Sequence, residues 1–81
     1  MSKISLEKIL SIIAKNINEE PNNLNLNSES KDFYYWDSIS QVTILLEIEK
    51  VTGKKLNSDG LLELDSVKKI VSELRKKNVY L

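Results

Sequence analysis

Trp36-Asp37-Ser38-Ile39 stands where a long polar connection, Asn18 to Tyr35, gives way to an apolar-rich run from Ser38 to Val51. That run has helical spacing, so the junction brings an aspartate and a serine to a helix start. Side-chain oxygens of Asp and Ser accept hydrogen bonds from the unpaired N–H groups of a first turn, and either residue can serve as an N-cap. A hydroxyl at that place has a second possible use, as the attachment point of a phosphate ester. The positive end of the helix dipole and the free N–H groups favour an anion there.

Ser38 has no partner in its own chain that could turn it into a nucleophile. The 81 residues contain neither histidine nor cysteine. Ser-His and Cys-His dyads, disulfides, a nucleophilic thiol and the commonest zinc ligands are all excluded. Chemistry at Ser38 therefore requires another protein, and the chain is not expected to be an enzyme or to hold a metal.

The elements that position this junction follow from apolar spacing. Leu6, Ile9, Leu10, Ile13 and Ile17 recur at i, i+3, i+4 and i+7, which predicts an amphipathic helix from Ser5 to about Ile17, capped by Ser2 or Ser5. Asn16, Asn18 and Pro21 end it. The connection up to Tyr35 has no helical period and is long for a small domain, so it needs anchors. Leu24, Leu26, Phe33 and Trp36 are the candidates.

The second helix is predicted from Ser38 to about Thr52, with Gly53 as its C-terminal stop. At about 100° per residue, Ile44, Leu45, Ile48 and Val51 form its core face. Ile39, Val42 and Leu46 form a second edge, interleaved with Thr43, Glu49 and Lys50. That edge is either another buried wall or an exposed patch for a partner. Leu56 is expected to plug the core. A short third helix through Leu61, Leu62 and Leu64 would be capped by Asn57 or Ser58. Asp65 caps a fourth, in which Val67, Ile70, Val71 and Leu74 repeat before the basic Arg75-Lys76-Lys77.

Asp37-Ser38-Ile39, followed by SQVTILLEIEKVTG and then by LDSVKKIVSEL, resembles the acyl and peptidyl carrier proteins. Their Asp-Ser-Leu motif marks a serine esterified with 4'-phosphopantetheine. The resemblance covers nearly the whole chain and implies an all-α, four-helix bundle, three helices principal and one short, in a single domain spanning residues 1–81. It also implies a carrier whose cofactor comes from coenzyme A and is attached at Ser38. Asp37 would orient the segment and help the modifying enzyme place its metal and coenzyme A. Ile39, Val42, Thr43, Leu46 and Glu49 would meet partners: a phosphopantetheinyl transferase and the enzymes that load and use the cargo. The missing cysteine accords with a cofactor that brings its own sulfur.

Asp65-Ser66-Val67 repeats the tripeptide pattern, but only 15 residues follow Ser66. A carrier needs two further helical segments after its modified serine, so Ser66 is read as a capping residue.

The chain departs from the family in three places. Tyr35 stands where a glycine is common, and Thr43 stands where many fatty-acid carriers have an acid. The net charge is zero where carriers are usually strongly acidic. Residues 1–18 hold three Lys and one Glu, residues 19–65 ten acids and four Lys, and residues 66–81 five bases and one Glu. Thr43, with Lys50 one turn on, points to a specialised partner set. The Trp36-Asp37 pair resembles carriers of secondary-metabolite or peptide-synthetase-like clusters, with fatty-acid-like biosynthesis the other setting.

Short apolar runs and an N-terminus without a basic-then-apolar pattern predict a soluble, cytoplasmic protein without a membrane segment, and a monomer is expected. The competing reading is a helical interaction module without covalent cofactor, one form of which would bind nucleic acid through Lys68, Lys69, Arg75, Lys76 and Lys77. Five bases at one end of a neutral chain are more often a solvated helix end, so no nucleic-acid partner is expected.

Overall fold

Three helices, each begun by a side-chain cap, build the domain. The structure is a computed structural model that describes residues 2–56 and 62–80. Helix α1 spans Leu6–Asn16. The Ser5 hydroxyl accepts the Lys8 N–H at 3.1 Å, deciding between the two predicted caps. Ile9, Ile12, Ile13 and Ala14 face inward, and Ile17 follows them into the core. Asn18 then takes a left-handed conformation, φ 59°, which short polar side chains tolerate better than most. Pro21 opens a 3-10 turn, Pro21–Asn23.

The connection between α1 and the next helix is tied down mainly through its backbone. Ser30 N–H donates to the Asp65 carbonyl at 2.8 Å, and Val67 N–H to the Ser28 carbonyl at 3.1 Å. Between them Glu29 and Ser66 form an isolated antiparallel bridge. These bonds place the loop against the segment that opens the last helix, satisfying polar groups that a long buried connection would otherwise leave unpaired. Leu24 and Trp36 are buried, and Phe33 packs at the core's margin, its ring 6.3 Å from that of Trp36. Leu26 is not an anchor: it is 43% exposed. The backbone bonds hold the loop at its far end, and Leu26 lies in the turn between the buried Leu24 and Ser28.

Helix α2 spans Ser38–Thr52 and stops at Gly53, φ 71°, whose N–H donates to the Glu49 carbonyl at 2.8 Å. Both ends agree with the sequence reading. Gln41, Ile44, Leu45, Ile48 and Thr52 are buried. Val51 is not on the core face, being 47% exposed. The inward line runs Ile44, Ile48, Thr52, and Val51 sits one step round the helix from it. Thr52 keeps its hydroxyl satisfied by donating to the Ile48 carbonyl at 2.7 Å. Alongside, Glu47 meets α1 through Lys15 Nζ at 2.7 Å and Asn16 Nδ2 at 3.0 Å. The Lys15 hydrogen bond, aided by that of Asn16, holds the Glu47 carboxyl below the usual carboxylate range.

Leu56 is buried as expected. The short helix predicted after it, with its cap at Asn57 or Ser58, falls largely on residues 57–61, outside the described residues. Leu64 packs on the core's margin. Helix α3 spans Val67–Lys76, with Val67, Ile70, Val71 and Leu74 buried. Its cap is Ser66, not Asp65: the Ser66 hydroxyl accepts the Lys69 N–H at 3.1 Å, while the Asp65 carboxylate pairs with Lys69 Nζ at 3.0 Å. A parallel pairing of two-residue strands, β1 (Ser2–Lys3) with β2 (Val79–Tyr80), joins the two ends of the chain, with Ser2 opposite Val79. Ile9, Ile13, Ile17, Ile44, Leu45, Ile48, Ile70 and Leu74 form the fully buried centre of an all-α bundle.

Candidate functional site at the start of α2

Asp37 is the N-cap of α2. Its backbone is extended, φ −99° and ψ −173°, and its Oδ1 accepts the Ser40 N–H at 2.9 Å. The Gln41 N–H donates to the Asp37 carbonyl at 2.8 Å, the first bond of the helical ladder. The Ser40 N–H holds the Asp37 carboxyl below the usual carboxylate range, with the exposed carboxylate facing the positive end of the helix. The sequence left capping open between Asp37 and Ser38, and the structure assigns it to Asp37.

Ser38 is therefore the first helical residue. It is exposed, and among the described residues nothing hydrogen-bonds to its hydroxyl. The first turn presents N–H groups towards solvent beside it, and an anion esterified there would meet favourable charge.

Two depressions meet at Ser38. One, of about 480 Å³, is lined by Ser38, Ile39, Val42, Thr43 and Leu62 and is largely apolar. The other, of about 150 Å³, reaches inward past Ser38 to Trp36, Gln41, Leu62 and Asp65. Ile39 is 78% exposed, Leu46 59%, and Val42 stands at the solvent margin with them. The second edge of α2 is thus open rather than a buried wall. Thr43, also exposed, donates its hydroxyl to the Ile39 carbonyl at 3.1 Å. Glu49 is half-buried and set apart from this edge in its bonding: its Oε2 accepts the Leu56 N–H at 2.7 Å, fastening the chain that leaves α2.

Behind the serine lies a polar connection that the sequence reading did not contain. The Trp36 indole N–H donates to Gln41 Oε1 at 2.6 Å, and Gln41 Nε2 donates to the Leu64 carbonyl. Trp36 and Gln41 are both buried. The available signal was register: Gln41 lies three residues before Ile44 and seven before Ile48, a polar residue on a core-facing line, where a partner is required.

Ser66, the other serine after an aspartate, is buried, and its hydroxyl is engaged as a cap. The two junctions are therefore different in kind. A family model described as a phosphopantetheine attachment site matches residues 7–74. The chain belongs to this phosphopantetheine-binding family. Members of the family carry covalently attached 4'-phosphopantetheine and act as carriers, which are not themselves catalytic. The match takes in α1 from its second residue, all of α2 and most of α3, so it covers the helices that position the Asp37-Ser38 junction as well as the junction itself. As a phosphopantetheine-binding carrier, the chain interacts with a phosphopantetheinyl transferase and with biosynthetic enzymes. No curated protein matches the chain. Among the described residues no helix is long and apolar enough to cross a membrane.

Proposed function

We propose that this protein is an acyl, aminoacyl or peptidyl carrier whose attachment site is Ser38. The observation that carries the reading is the division of labour at the junction: Asp37 caps α2, leaving the Ser38 hydroxyl exposed and uncommitted. In the modification, the Ser38 oxygen displaces the adenine-nucleotide half of coenzyme A at phosphorus, forming a phosphodiester, and the hydroxyl proton passes to the transferase. The bound group supplies a thiol that holds cargo as a thioester. The chain's own residues present the hydroxyl, place the phosphodiester at the positive end of a helix and keep an apolar groove beside it.

Ile39, Val42, Thr43 and Leu46 are proposed as the edge that transferase and cargo enzymes dock on, with Glu49 at its end. Their exposure supports this, since large aliphatics beside a reactive group invite cover by a partner. Fatty-acid-like or secondary-metabolite biosynthesis in the cytoplasm is the proposed setting, with the chain acting as a monomer and not as an enzyme. The nucleic-acid alternative is weakened by the pairing of Lys69 with Asp65 and the approach of Lys77 to Glu73 at 3.9 Å.

The test is intact mass after incubation with coenzyme A, magnesium and a transferase. One phosphopantetheine should be added to the wild type and to Ser40→Ala and none to Ser38→Ala, while Leu46→Asp should fold and be modified more slowly. A wild type left unmodified by several transferases that modify a control carrier would overturn the proposal.

A further inference from the structure

Gln41 joins three parts of the molecule that are separate in sequence. It belongs to α2, its Oε1 accepts from the indole of the turn before Ser38, and its Nε2 donates to the carbonyl of Leu64, two residues before the cap of α3. It lies three residues after Ser38, which puts the two on one side of the helix. Both border the same small recess, together with Trp36, Leu62 and Asp65. The backbone bonds Ser30 to Asp65 and Val67 to Ser28 fix the middle of the loop to the same α3-opening segment. The stretch from Phe33 to Asp37 is thus held from both sides, and its end nearest Ser38 is held through Trp36.

We infer that Gln41 is a positioning residue for modification of Ser38, acting through Trp36 to fix the turn from which the serine is presented. The inference rests on the attachment reading for Ser38. A buried amide that both accepts and donates allows few alternative placements, because moving either end leaves a buried polar group unpaired. Group transfer to a hydroxyl needs its oxygen aligned with the phosphorus under attack, and small misplacements of a reacting atom lower rates steeply. The exposed edge at Ile39, Val42 and Leu46 lies on another face of α2 from Gln41, so encounter with the transferase and alignment of the hydroxyl depend on different residues.

The separation is measurable in the steady-state kinetics of modification by transferase, coenzyme A and magnesium, with the carrier as varied substrate. Gln41→Met keeps the side chain's approximate size and removes its hydrogen bonds to Trp36 and Leu64, and Trp36→Phe removes the indole donor together with part of the buried ring. Each is expected to lower kcat about tenfold or more while KM for the carrier stays within about twofold. The double variant should fall no further than the worse single one, since both break one connection. Ile13→Val, a core change in α1, supplies the stability control and should be modified like the wild type. Trp36 is the only tryptophan, so its emission reports independently whether the indole environment changes in Gln41→Met.

Wild-type kcat in a folded Gln41→Met, or equal kcat losses in Gln41→Met and Ile13→Val, would overturn the inference while leaving Ser38 as the attachment site. Should Gln41→Met fail to fold, Trp36→Phe decides on the same criterion, normal kcat sinking the idea. Failure to modify the wild type removes Ser38 as the site, and the inference with it.

Discussion

Asp37-Ser38-Ile39 and Asp65-Ser66-Val67 have the same chemistry in sequence and opposite structures. In the first, the aspartate caps and the helix starts at the serine. In the second, the serine caps and the helix starts one residue later. That single step of register reverses every role. Ser38 is exposed and Ser66 buried; Ile39 projects into solvent and Val67 is wholly inside. Asp37 is bonded to backbone, while Asp65 has a lysine. The cause lies in what each junction packs against. Ser66 is bridged to Glu29 of the long loop, which covers it, whereas the edge of α2 around Ile39 is open. A tripeptide pattern thus marks a helix start, and the register of the start determines which hydroxyl a partner can reach.

The sharpest way to break this contrast is to exchange the serines' roles. Ser38→Ala should abolish phosphopantetheine addition completely, with stability changed by no more than about 0.5 kcal/mol, because the cap is elsewhere. Ser66→Ala should be modified like the wild type. Mass spectrometry and thermal unfolding on the same samples separate the two results, and any modification of Ser38→Ala would collapse the distinction.

The third residues should differ next most. Val67→Ala removes buried methyl groups and should destabilise by about 2 kcal/mol, transfer and cavity combined. Ile39→Ala should stay within about 0.5 kcal/mol while slowing modification. Urea unfolding measures both, and equal losses would mean that Ile39 is covered in solution.

Ser66→Ala should itself lose about 1 kcal/mol as a helix cap, a deficit that Ser66→Asp, also a good cap, should largely restore. A loss below a few tenths would place the cap on Asp65 after all.

The smallest effect concerns acid. Asp37 has a folded-state pKa below its ordinary 3.8. A depressed carboxylate stabilises the fold above the ordinary value and loses that contribution as pH falls through the folded one. Asp37→Asn, a good cap without charge, should therefore be slightly less stable than the wild type at neutral pH, with the gap closing as pH falls below 3.8. Unfolding midpoints that run parallel at all pH values would contradict the charge argument.

Sequence made α2 legible to the residue because both its ends carry strong local signals, an Asp-Ser start and a Gly stop. The caps of α1 and α3 were legible only to within a choice, Ser2 or Ser5 for the one and Asp65 or Ser66 for the other. What escaped was decided by distant segments. Leu26 and Val51 have the apolarity of core residues, and only the path of neighbouring chain leaves them outside. Gln41 has the polarity of a surface residue, and only the arrival of Trp36 and Leu64 makes its burial tolerable. The β1–β2 pairing is two residues long on each side, too short for any alternation to register. At the site, the helix start at Asp37-Ser38 was legible from its polar pair, whereas which of the two residues caps it is set by the extended backbone at Asp37.

Gly53 carries a consequence of a different kind. A Cβ built on it would meet no atom within 4 Å, so space is not what reserves the position for glycine. The obstacle to alanine is chirality, since an L side chain at φ 71° strains against its own backbone. For the enantiomer that obstacle vanishes. D-alanine at this one position, introduced by chemical synthesis, would find its natural backbone angles and an open surface. By narrowing the unfolded chain's freedom, it should make the protein about 0.4–1 kcal/mol more stable.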